Sequence, residues 1–124
     1  GADAMNILNL EELTQLCVEW QERLGLSNWE IGIQIGSSET LELPEVQGTN
    51  IVSLETERAL ITILAPEDYP PTPFEQDMEV SLVHELLHIP LKYIARPERG
   101  TLEHIHLEAF IERTARLLVL LSRK

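Results

Sequence analysis

Val83-His84-Glu85-Leu86-Leu87-His88 lies late in a segment that opens with Thr72-Pro73-Phe74-Glu75 and closes at Ile89-Pro90. The opening four residues spell a capping box with proline at the first helical position, so a helix is predicted from there to about Ile89. Pro90 has no backbone N–H and disfavours helix at the residue before it, so the helix is expected to end or kink there. Within it, His84 and His88 are four residues apart and share one face, roughly 6 Å from each other. Two imidazoles so placed can reach one ion at about 2.0–2.1 Å. Glu85 is rotated about 100° from His84, to the edge of that face. There it can accept a proton from water at the metal instead of binding the metal itself.

Two histidines leave a metal short of ligands, and the segment downstream supplies candidates. After the break Arg96-Pro97-Glu98-Arg99-Gly100, Thr101 caps a last helix that runs nearly to Lys124. It carries Glu103, His104, His106, Glu108 and Glu112. Its expected core stripe is Leu107, Ile111, Thr114, Leu118 and Leu121. Glu108 sits beside Ile111, Ala115 and Leu118, where a carboxylate is partly buried and needs a cation. It ranks first as third ligand. His104, one turn earlier on the same side, and Glu112, one turn later and drifting outward, remain open. A plain rim salt bridge from Glu108 to Arg96 or Arg99 is the competing reading. Tyr93, His104 and His106 are considered as oxyanion donors, with a surface or supporting role the simpler expectation for each.

Upstream, Asn9 caps a helix from about Leu10 to Leu24, with Leu10, Leu13, Leu16, Cys17, Trp20 and Leu24 at helical spacing and Gly25 as its stop. Trp29, Ile31, Ile33 and Ile35 alternate with Glu30, Gly32, Gln34 and Gly36, the pattern of a half-buried strand. Ser37 to Asn50 reads as a loop or a poorly formed hairpin, Ile51 to Leu54 as a short strand, and Ala59 to Leu64 as a stronger one. Four of the seven prolines fall between Pro66 and Pro73, marking a loop. Helix, short strands, then two helices define an α+β fold, and 124 residues fit a single domain, residues 1–124.

Apolar residues at 44% and charged residues at 24% are ordinary for a globular chain. Nine basic against 21 acidic residues give a net charge of −12, which argues against nucleic acid and anionic membranes as partners and leaves metal ions open. The stretches Glu39 to Glu45 and Glu55 to Glu57 read as solvated faces. Cys17 alone cannot form an internal disulfide, which suits a reducing, cytoplasmic setting; on the apolar side of its helix it reads as inert core, as do Trp20 and Trp29. No apolar run reaches the roughly 20 residues of a membrane span, and the first residues, Gly1 to Asn6, lack the pattern of a signal peptide.

The run Val83 to His88, followed by Leu107-Glu108-Ala109-Phe110-Ile111-Glu112-Arg113-Thr114-Ala115-Arg116-Leu117, resembles the zincin metallopeptidases. More narrowly, it resembles minimal gluzincin-like members and the small metallopeptidases of phage and prophage regions. The resemblance covers roughly residues 29 to 124, and its specific part is the HExxH motif plus one glutamate. It implies a minimal zincin-like domain, Zn2+ held by His84, His88 and Glu108, and Glu85 as general base. It also implies a peptide or protein substrate pairing with an edge strand, assigned to Ala59–Leu64. The chain departs from the pattern at Pro90, two residues after the second histidine, and in lacking a large substrate-binding subdomain. The extra histidines of metzincins are absent. The competing readings are a closed structural zinc site of His84, His88, His104 and Glu108, and a peptide-binding module that does not cleave.

Overall fold

The computed structural model describes residues 6–37 and 47–124. The chain runs α1 (Leu10–Arg23), β1 (Glu30–Gly36), β2 (Gly48–Ser53), β3 (Arg58–Leu64), a short 3-10 turn (Pro66–Asp68), α2 (Met78–Leu91) and α3 (Leu102–Ser122). This is the expected α+β arrangement, with a helix at each end of the described chain and a three-stranded sheet between them. The acidic stretch Glu39 to Glu45 lies outside the described residues.

Asn9 caps α1 through a reciprocal box: its side chain accepts from the Glu12 N–H at 2.8 Å, and Glu12 accepts from the Asn9 N–H at 2.9 Å. The buried face of α1 is Leu13, Cys17 and Trp20. Gln21, also buried, donates to the carbonyls of Leu26 and Trp29 and so fixes the turn into β1. Burial makes Cys17 the inert thiol expected, with its pKa pushed up to about 11.

The sheet order is β1-β3-β2, with β1 parallel and β2 antiparallel to β3. This corrects the edge-strand assignment, because Ala59–Leu64 belongs to the central strand. The physical reason is its apolar run: Ala59, Ile61, Ile63 and Leu64 are all buried, and a strand paired on both sides suits such a segment. The edges are β1 and β2, and β2 begins earlier than the expected Ile51 because Gly48, Thr49 and Asn50 already pair with Ile63, Thr62 and Ile61.

The start of α2 is also corrected. Thr72 accepts from the nearby Phe74 N–H instead of opening the helix, and Asp77 is the cap, accepting from the Val80 N–H. Two hydrogen bonds shape residues 65–77 into a strap: Tyr69 Oη donates to the Phe74 carbonyl, and buried Gln76 donates to the Leu64 carbonyl. Pro90 sits inside the last turn of α2, which runs to Leu91 without breaking. So near the end, proline forfeits one backbone bond, while His88 and Ile89 still accept from the Lys92 N–H.

Leu82, Val83, Leu86 and Ile89 of α2 are fully buried in a core that also takes Leu13, Trp20, Ile61, Ile63, Ala115 and Val119. On α3 the buried line is Ile111, Ala115 and Val119, rotated from the expected stripe; Leu121 is exposed. That rotation turns Glu108 and Glu112 towards α2.

Candidate metal centre

The apolar side of α2 is locked in the core, so its helical phase is fixed and His84 and His88 must face α3. Their rings are tilted, with centroids 5.2 Å apart. Across from them, Glu108 brings Oε2 within 2.9 Å of His84 Nε2 and Oε1 within 3.0 Å of His88 Nε2. One donor atom from each of His84, His88 and Glu108 lies within 4.8 Å of the others. A tetrahedral ion with bonds near 2.0–2.1 Å needs donor separations of about 3.4 Å, so opening the contacts by a few tenths of an ångström fits that need. The arrangement can hold a divalent cation and leave a coordination position free of protein.

Of the other proposed ligands, His104 lies at the margin: its Nε2 is 3.6 Å from Glu108 Oε1, and it is not part of the close triad. Glu112 takes a different place. Its Oε1 is 2.8 Å from His84 Nδ1, on the ring edge away from Glu108, and its Oε2 is 2.8 Å from Arg116 Nε. A carboxylate on the far nitrogen of a metal-binding histidine fixes ring orientation and raises ligand basicity. The alternative pairing of Glu108 with Arg96 or Arg99 is not formed; its ion pairs go to His84, His88 and His104. Tyr93 is turned away, donating to the Leu54 carbonyl, and His106 is exposed.

Without metal, the charges hold one another. Burial works against a charged His84, but hydrogen bonds to Glu108 and Glu112, with the charges of Glu85 and Glu108, outweigh it and raise its pKa to about 10. The same hydrogen bonds from His84 and His88 hold Glu108 well below the usual carboxylate range, and that from His84 lowers Glu112. A proton on His84 thus occupies the place where an ion would compete.

Glu85 lies outside the donor triad and is nearly inaccessible, at 5% exposure. Burial raises its pKa, opposed by the neighbouring His84 and by a hydrogen bond from Asn50. Asn50 Nδ2, on edge strand β2, donates to Glu85 Oε1, and Lys92 Nζ donates to Asn50 Oδ1. Gly48 is needed beside them: a Cβ there would meet Glu85 Oε2 and the Thr62 carbonyl, each at 3.2 Å. Sequence reasoning missed Gly48, Asn50 and Lys92. The first two reach the site only through strand pairing; Lys92 alone carried a local signal, as the next residue in the four-residue spacing of His84 and His88.

These groups line a cavity of about 910 Å³ between α2, α3 and β2. Comparison of the chain with family models, curated proteins and solved structures gives no match. The likeness to zincins therefore rests on the residues described above.

Proposed function

We propose that this chain is a zinc-dependent peptide hydrolase. The observation that supports this most is the meeting of His84, His88 and one carboxylate of α3, with Glu85 on the same helix buried beside that triad but outside it. His84, His88 and Glu108 would hold the ion. Bound there, zinc would polarise a carbonyl and bring the pKa of water towards about 7. Glu85 would take the water's proton and later hand it to the departing amine. Its raised pKa suits both halves of that cycle, since a base must also be willing to act as acid. Asn50 holds Glu85 Oε1, and Glu85 Oε2 lies over Gly48. Among the described residues β2 pairs only with β3, and an extended peptide would add along its other edge beside the cavity. No helix of the described residues is long and apolar enough to cross a membrane. The single buried thiol fits a reducing compartment, so the reading places the reaction in the cytoplasm.

The test is hydrolysis of a fluorescently quenched peptide library by the purified chain. Zinc-loaded protein should cleave it, chelator should abolish cleavage, and Glu85→Gln should lower the rate by about 10²–10⁴, the usual share of a general acid–base group. Equal rates with and without Glu85 would sink the proposal.

A further inference from the structure

The distribution of charge around the cavity runs against that of the whole chain. The sequence has 9 basic and 21 acidic residues, yet among the described residues the cavity is lined by four basic side chains, Lys92, Arg96, Arg99 and Arg116, and three carboxylates, Glu85, Glu108 and Glu112. A divalent ion in the triad would add to that positive surplus. A positive cleft in a strongly negative molecule focuses its field on anionic groups and repels cationic ones.

The basic residues differ in what already satisfies them. Arg116 is paired with Glu112 at 2.8 Å. Lys92 rests on a neutral amide oxygen of Asn50. Arg96 and Arg99 form no ion pair with a described residue, although carboxylates outnumber cations more than twofold. Arg58 and Arg123 do find carboxylates. The loop that carries Arg96 and Arg99 is built to hold its shape. Pro97 fixes one backbone angle, Thr101 Oγ1 donates to the Glu98 carbonyl at 2.6 Å, and Gly100 takes a φ of +87° that suits glycine.

The spacing gives the subsite a position. His84, His88, Lys92 and Arg96 follow at intervals of four, and turn-like bonding continues past α2, with the Ala95 N–H donating to the Leu91 carbonyl at 3.0 Å. At 1.5 Å per residue Lys92, the C-cap of α2, lies about 6 Å beyond His88, and Arg96 follows past the end of the helix. An extended peptide rises about 3.3 Å per residue, so Lys92 stands about two residues from a bond held at the metal, with the loop of Arg96 and Arg99 past it.

We propose that Arg96 and Arg99, with Lys92 on their metal side, form a subsite for a carboxylate of the peptide, placed two or more residues from the scissile bond. The subsite rests on the peptide-hydrolase reading, whose substrate it narrows to acidic peptides. The carboxylate comes from an Asp or Glu side chain or from a free C-terminus, and guanidinium groups suit either through paired N–H donors.

The experiment measures binding apart from cleavage. Four fluorescein-labelled octapeptides of Ala and Leu carry one Glu or one Gln, each with a free or an amidated C-terminus. Their affinity for zinc-loaded Glu85→Gln protein is read by fluorescence anisotropy, alone and with Arg96→Gln and Arg99→Gln added. The amidated Glu peptide should bind about tenfold tighter than the amidated Gln peptide, as expected for one charge-assisted contact, and the added substitutions should erase the difference. If the free C-terminus is the ligand, the free Gln peptide should gain tenfold over its amide, again only with both arginines present. Either gain should shrink as salt is raised. Equal binding of all four peptides, or a preference that survives loss of both arginines, would overturn the subsite. Zinc titration in parallel reports that the arginine variant is folded. Preference for acidic peptides without hydrolysis by the zinc-loaded unsubstituted chain would reject the hydrolase reading and leave the subsite standing.

Discussion

Helix α2 carries two buried carboxylates, Glu79 and Glu85, at 8% and 5% exposure, and they live in opposite circumstances. Glu79 is saturated. Trp20 Nε1 donates to its Oε2 at 2.7 Å and Arg123 donates to its Oε1 at 3.1 Å, while Arg123 also grips Asp77. That cluster ties α1, α2 and α3 together. Glu85 receives one neutral amide hydrogen from Asn50, has Gly48 shaped to make room for it, and faces the cavity. A buried charge with a full set of partners is structural. A buried charge left with one neutral partner beside a donor triad is a candidate for proton exchange.

The largest effect separating the two ends concerns pH. In metal-free protein the folded pKa of His84, about 10, lies above its ordinary 6.5. A raised pKa stabilises the fold fully below about pH 6.5, and that stability is lost as pH rises towards 10. Thermal melts of metal-free protein should therefore fall between pH 7 and 10. Zinc displaces the same proton, so its apparent affinity should keep rising beyond pH 6.5. Melting temperatures flat over that range would remove the charged His84 from the account.

Breaking the saturated end comes next. Arg123→Ala leaves Glu79 buried with Trp20 alone and should cost about 2–4 kcal/mol in denaturant unfolding. Zinc affinity, measured alongside, should not change; a parallel loss would mean that the two ends are coupled. Glu112→Gln acts on the other end. It weakens the hold on His84 Nδ1 and should reduce zinc affinity about 10–100-fold, the usual effect of an outer-shell partner. An unaltered affinity would make Glu112 a surface partner of Arg116.

The smallest expected change has the opposite sign. Glu85→Gln keeps an acceptor for Asn50 and removes a charge that burial disfavours, so the variant should be as stable as the unsubstituted chain or up to about 1 kcal/mol more stable. A substantial loss of stability would show Glu85 to be as structural as Glu79.

The sequence revealed these two carboxylates unequally. Glu85 stands out because His84 and His88 flank it at helical spacing, and Glu108 because it borders an apolar stripe on the next helix. Both are local patterns. Glu79 carries no such mark, since Trp20 and Arg123 reach it from far along the chain. Asn50 was hidden for the same reason, as the β2–β3 register decides that it faces Glu85. The central place of β3 could be suspected from its continuous apolar run, but sheet order is a property of pairing. Thr72-Pro73-Phe74-Glu75 is the reverse case, a sound local signal overridden by the strap that Gln76 and Tyr69 pin down.

The central claim is that Glu108 binds the metal and Glu85 does not, and zinc titration of the unsubstituted chain, Glu85→Gln and Glu108→Ala tests it most directly. Glu85→Gln should bind zinc as the unsubstituted chain does, whereas Glu108→Ala should lose more than the 10–100-fold of an outer-shell change. Loss of zinc by Glu85→Gln with retention by Glu108→Ala would contradict the account.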